Sequence, residues 1–170
     1  MDKLKKVMLE FLSYLDKERG FSSHTIKAYQ TDLNRFILFL AQEENKSNFK
    51  AVTRHAIRNY LGREFDQGFS SKTVARRLAS IKSLFKYLMR SEQISDNPAI
   101  HVKSPKISQT LPNFIDEKVI DTLMESPDVS TSKGMRDRAI LELFYSTGIR
   151  LSELIALDIN SIDPQNQLAK

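Results

Sequence analysis

Two groups of residues have the types and spacing to work on a phosphate. The first is Arg150, two positions past Gly148 and three before Glu153, within the stretch RDRAILELFYSTGIRLSEL at 136–154. A guanidinium there offers paired donors to a phosphate, and the nearby carboxylate fixes its orientation. The same spacing also suits a local surface ion pair. The second group lies between Ser70 and Arg90, where six basic residues occur and no acidic one. At about 100° per residue, an apolar stripe centres near Val74 and Phe85. Lys72, Arg76, Ser83, Lys86 and Arg90 fall on the opposite face, and Arg77 flanks the stripe. Such cations neutralise phosphates, and a helix fits the major groove of B-DNA. A solvated helix face without acids has the same composition.

A companion surface starts at residue 22. Ser22, Ser23 and Thr25 bring hydroxyls to a helix start, and His24, Lys27, Thr31 and Arg35 follow on its non-apolar side. Hydroxyls at a helix N-terminus suit phosphate contacts, although plain capping by Ser22 or Ser23 explains them equally well. The charge of the chain points the same way. Residues 1–98 carry 18 Lys and Arg against 11 Asp and Glu, and residues 99–170 carry 8 against 10. A basic front half suits a polyanion, with nucleic acid ahead of a membrane surface.

Other chemistries are poorly served. There is no cysteine, which excludes a disulfide framework, a thiolate metal site and a cysteine nucleophile. His24, His55 and His101 lack ligand-like spacing, so no metal is expected. No glycine-rich phosphate loop occurs. The start MDKLKKVMLEF lacks the apolar run of a signal peptide, and no run is long enough to span a membrane, so a soluble cytoplasmic protein is expected.

Positioning these residues falls to helices. Leu4, Val7, Met8, Phe11 and Leu15 form one stripe, ending near Gly20; Ile26, Tyr29, Leu33, Phe36, Ile37 and Leu40 form a second. A third helix is predicted from about Thr53 through Ile57, Tyr60 and Leu61 to Phe65, stopping at Gly68. A fourth, opened by Ser70 and Ser71, carries Val74, Leu78, Ile81, Leu84, Phe85 and Leu88. Short connections predict a four-helix bundle over 1–98. Pro98, Pro105 and Pro112 mark a linker at 99–113. A second unit over 114–170 should hold short helices starting at Asp116, at Met135 and near Leu151. In the second of these, Ile140, Leu143 and Phe144 should face inward and Gly148 should end the helix. From Asn160 the chain reads as a turn at Asp163-Pro164, then a strand at Leu168 without a partner, so this unit reads as unfinished.

The stretch RDRAILELFYSTGIRLSEL closely resembles the segment that carries the first catalytic arginine of tyrosine recombinases, above all their Xer-type and phage-integrase-like members. SSHTIKAYQTDLNRFILFL and SSKTVARRLASIKSLFKYLMRSEQISDNPA are similar to helices of the family's core-binding domain, and PKISQTLPNFID to the junction before its catalytic domain. The resemblance implies a mainly α chain: a four-helix, SAM-like core-binding domain followed by the helical beginning of an α/β catalytic domain. It implies site-specific DNA recombination or integration, chromosome dimer resolution included, in which a tyrosine attacks the scissile phosphate and leaves a 3′-phosphotyrosyl link. No metal or nucleotide cofactor is needed, and protomers work as a tetramer on double-stranded DNA. By the match, Arg150 is similar to the first transition-state arginine and Glu153 to its supporting acid. The expected DNA contacts are Lys72, Arg76, Arg77 and Lys86, then Ser23, His24, Lys27 and Thr31. The family continues with a hairpin lysine, a His-x-x-Arg helix, a further His or Trp, and the tyrosine. None of these follows Glu153, so the chain, whether a fragment or a natural short protein, is expected to bind DNA without cleaving it. A non-catalytic helical DNA-binding protein or regulator, and a helical protein-interaction module, are the alternatives.

Overall fold

The computed structural model describes residues 2–108, 114–158, 160, 162–163 and 168–169. The chain divides into two units, Met1–Gln109 and Thr110–Lys170. The first contains α1 (Asp2–Lys17), α2 (Ser23–Gln42), a 3-10 turn at Phe49–Ala51, α3 (Arg54–Asp66) and α4 (Ser71–Arg90). Each helix buries most of the stripe its sequence predicts, with Val7, Ile26 and Tyr29 partly covered and Phe65 exposed. Leu4, Phe11, Leu33, Phe36, Ile37, Leu40, Ile57, Tyr60, Leu78, Ile81, Leu84 and Phe85 are all essentially inaccessible. α1 packs on α2, α2 on α4, and α3 on α4. Aromatic rings knit the seams, with Phe36 and Phe39 against Tyr60, and Phe11 against Tyr29 and Tyr87.

The two helices that carry the candidate cations begin in the same way, because one hexapeptide pattern, Gly-Phe-Ser-Ser-x-Thr, occurs at 20–25 and again at 68–73. Gly20 and Gly68 adopt φ of +62° and +82°, which glycine tolerates at a helix stop. Ser22 and Ser70 are the caps, and each Oγ accepts from the threonine N–H three residues on, at 3.3 Å in both cases. The segment expected as a linker from residue 99 begins inside this core. Ala99 and Val102 are buried, and Asn97 Oδ1 accepts the Ala99 N–H at 2.9 Å.

The second unit holds α5 (Glu117–Glu125), α6 (Ser132–Thr147) and α7 (Leu151–Ala156), then a two-stranded antiparallel pair, β1 (Ile162–Asp163) and β2 (Leu168–Ala169). The strand expected at Leu168 to lack a partner therefore has one: Asp163 stands opposite Leu168 and Ile162 opposite Ala169. Asp116 caps α5 and Thr131 caps α6, while Gly148 ends α6 at φ +64°. Gly134 cannot carry a side chain without moving the loop before it, because a Cβ there would overlap the Asp128 carbonyl. Ile140, Leu143 and Phe144 are half-buried, and Gly134 is the one buried residue in the three helices.

Candidate nucleic-acid interface

α2 and α4 lie side by side, and one buried carboxylate ties them together. Asp32 Oδ2 accepts from Arg76 Nη1 at 2.5 Å and from Ser80 Oγ at 2.8 Å. Around that joint the expected contacts sort into surface and interior. Ser23, His24, Lys27 and Thr31 are exposed on α2, and Lys72 and Lys86 on α4. Ser22, rather than Ser23, serves as the cap, which leaves the Ser23 hydroxyl unused by the helix start. Thr31 Oγ1 donates back to the Lys27 carbonyl at 2.9 Å, keeping an acceptor available. Arg76 keeps half of its side chain in solvent while paired to Asp32.

Arg77 is a correction. Its side chain is 8% exposed, it pairs with Glu64 of α3, and its Nε lies 3.9 Å from Asp32 Oδ1. The guanidinium also sits over the Phe69 ring, 3.9 Å from the centroid. An arginine so enclosed holds the bundle together and has no face to offer a ligand. Arg35 completes the cluster, reaching Glu64 at 3.5 Å and donating to Gln67 Oε1 at 2.9 Å. Three guanidiniums thus surround two buried carboxylates, as burial of charge requires. Beside them Tyr60 is fully buried, and loss of hydration pushes its hydroxyl pKa up to about 12, against the pull of Arg77 and Arg35.

The absence of acids between Ser70 and Arg90 therefore does not leave every cation there unbalanced, since Asp32 and Glu64 arrive from other helices. A signal for this was present. Asp32 is the sole acid of α2 and stands in register with Tyr29, Leu33 and Phe36, and Glu64 stands in register with Ile57, Tyr60 and Leu61. A carboxylate on an apolar stripe needs a buried cation, and Arg77 stands in register with Val74, Leu78 and Ile81.

In the second unit, Arg150 is the N-cap residue of α7. Glu153 accepts from the Arg150 backbone N–H at 2.8 Å and from its Nη1 at 3.0 Å, and these bonds, the backbone one first, hold its carboxyl below the usual range. The Arg150 side chain is 81% exposed, so its other donors stay available. Arg138 is engaged by Glu142 and by the Met124 carbonyl. Among the described residues, no group of His, Cys, Asp and Glu could hold a metal ion, and no helix is long and apolar enough to cross a membrane.

Two stretches of the chain match known families. Residues 9–92 match "Phage integrase, N-terminal SAM-like domain" and residues 113–170 match "Phage integrase family". A tyrosine recombinase XerC of Myxococcus xanthus is 42% identical over 170 residues, covering 100% of this chain and 56% of that protein. A tyrosine recombinase XerC of Herpetosiphon aurantiacus is 41% identical over 155 residues, or 91% of this chain and 50% of the relative. A tyrosine recombinase XerD of Staphylococcus haemolyticus is 34% identical over 160 residues, or 94% and 54%. The chain spans about half the length of the curated relatives it matches. The fold is that of a lambda integrase tetramer bound to a Holliday junction, with a TM-score of 0.72 at 16% identity, over 95% of this chain and 45% of that one. A lambda integrase dimer bound to a COC' core site gives 0.70 at 16% identity, over 94% and 43%.

Proposed function

Because the chain belongs to the tyrosine recombinase family, of the XerC and XerD type, we propose that its first unit grips duplex DNA and that Arg150 serves site-specific strand exchange in the second. The observation that carries this reading is the pair of joined helices α2 and α4, with Lys27 and Thr31 exposed on one and Lys72 and Lys86 on the other. Exposed lysines bind the backbone by displacing counterions, and the hydroxyls and imidazole at the start of α2 add donors that set register. Arg76, half exposed and tied to Asp32 through one Nη, contributes its remaining donors.

Arg150 fits a phosphoryl site because its position is set by Glu153 while most of its donors stay open to solvent. A cation so placed stabilises the charge that develops on non-bridging oxygens in the transition state. That reaction needs neither a metal nor a nucleotide. Its nucleophile is a tyrosine, which Arg150 would serve by steadying the phosphate under attack. Protomers assemble as a tetramer on DNA in the cytoplasm.

Fluorescence anisotropy of a labelled duplex over a salt series tests the grip. Lys27→Ala and Lys86→Ala should each weaken binding and flatten the log–log salt slope by about 0.9, the value for one lost phosphate contact. Failure of the unaltered chain to bind any duplex at low salt would overturn the reading.

A further inference from the structure

A second cationic cluster lies away from the Asp32 joint. At the seam between α1 and α4, Tyr14, Arg19, Phe21, Lys86, Tyr87 and Arg90 line a cavity of about 230 Å³. Three cations converge on it and no carboxylate lines it. None of the ion pairs among the described residues involves Arg19, Lys86 or Arg90. Arg90 is nevertheless held in place, since its Nη1 donates to Tyr14 Oη at 3.0 Å. The partner is neutral, and the guanidinium also lies over the Tyr14 ring, 5.9 Å from its centroid, with no carboxylate paired to it. The Tyr14 and Tyr87 rings pack with centroids 5.0 Å apart, which sets both phenols at the same seam. Burial, then the charges of Glu10 and Glu18 nearby, raises the Tyr87 pKa, so carboxylates stand near the seam although none lines the cavity.

The place of this cavity matters as much as its charge. Lys86 belongs both to it and to the exposed face of α4, and Phe21 directly precedes the Ser22 cap of α2. The cavity therefore continues the surface of Ser23, His24 and Lys27. Its volume admits a phosphodiester with its waters, and its lining is cations and hydroxyls, the groups that phosphate oxygens accept from. The carbonyl ends of α1 and α4 draw cations by themselves, so a structural role is the rival explanation for Arg19 and Arg90.

We propose that this cavity is a phosphodiester-binding site that extends the duplex interface from α2 and α4 onto α1, with Arg19, Lys86 and Arg90 supplying charge and the Tyr14 and Tyr87 hydroxyls neutral donors. The proposal rests on the duplex-binding reading above. It is tested on the full 170-residue chain with the same labelled duplex and salt series. Arg19→Ala and Arg90→Ala should each weaken binding by roughly 3- to 10-fold at about 0.1 M salt and flatten the slope by about 0.9. Tyr14→Phe keeps the ring and frees Arg90, so it should cost less affinity and leave the melting temperature unchanged. If the Arg19/Arg90 double variant binds with unaltered affinity and slope while Lys27→Ala still weakens binding, the cavity is no part of the interface and only this inference fails. If affinity falls only in step with lost helical circular dichroism, the cations are structural and the inference fails again. Loss of binding to an oligoglutamate peptide with duplex binding intact would likewise overturn it, in favour of a protein partner. If the unaltered chain binds no duplex, the underlying reading falls and this one with it.

Discussion

The two units use the same materials to different ends. α4 and α6 both start at hydroxyl caps, and both are rich in apolar residues and arginine. In α4 the apolar residues form one stripe, and α2 and α3 cover it. In α6 they run all round the helix, from Met135 through Ile140, Leu141, Leu143 and Phe144 to Tyr145. α5 packs against α6, yet Met135 and Tyr145 remain more than half exposed. A helix apolar on every side is suited to cover on every side. Ion pairs divide in the same way. The first unit sets Arg76 and Arg77 against Asp32 and Glu64 of other helices, with both acids 1% exposed. The second pairs Arg138 with Glu142, Arg136 with Asp137 and Arg150 with Glu153, all near neighbours in sequence and all at the surface. One unit spends charge on joining helices, and the ion pairs of the other stay within about one turn of a single helix.

Breaking one pair in each unit is the strongest test of that contrast. Arg77→Ala leaves Glu64 and Asp32 buried without their enclosed cation, and should cost about 3–5 kcal/mol of stability. Arg136→Ala removes one half of the exposed pair with its neighbour Asp137, and should cost about 0.5 kcal/mol or less. Urea unfolding followed by far-UV circular dichroism reads both. Equal costs would mean that the units differ in apolar packing alone.

The next effect in size depends on pH. Tyr60 sits among the buried charges and holds its proton up to about pH 12, where an ordinary tyrosine releases it near 10. Between those values the unfolded chain loses a proton that the folded chain keeps, so the unfolded state binds fewer protons and stability falls as pH rises. The loss should approach about 2–3 kcal/mol over that window. Tyr60→Phe should remove this part of the alkaline slope, measured by urea midpoints at stepped pH. An unchanged slope in that variant would place the alkaline sensitivity elsewhere.

The same division decides what a sequence reader recovers. The four stripes of the first unit were legible because each is a local, periodic pattern, and the caps because each is a hydroxyl three residues before the N–H it accepts. Arg150 with Glu153 was legible for the same reason. Arg77 was misread because its partners lie 13 and 45 positions away, and a helix considered by itself shows only missing acids. Asp32 and Glu64 lay in core register on α2 and α3, so the clue was in the pattern of the partner helices. The cavity between α1 and α4 had no such clue, because Arg19 lies between the end of α1 and the stop at Gly20 while Arg90 ends α4, and only folding brings them together.

Glu153 gives the smallest effect and sharpens the contrast from the second unit. Its carboxyl is held low first by the Arg150 backbone N–H and then by the guanidinium. A lowered folded pKa means that these bonds favour the fold above the ordinary glutamate range and are lost as pH falls through the lowered value. Arg150→Ala removes the guanidinium and keeps the N–H, so the carboxyl should stay depressed in that variant through the backbone bond, the largest single cause. A carbon-detected NMR titration of the Glu153 carboxyl measures it directly. Return of Glu153 to an ordinary value would make the guanidinium the main partner, and the pair an ion pair like those of the first unit. Survival of the depression would mean that backbone geometry holds the acid. Arg150 would then be only loosely tied, its guanidinium free to leave Glu153 for a phosphate without undoing the start of α7.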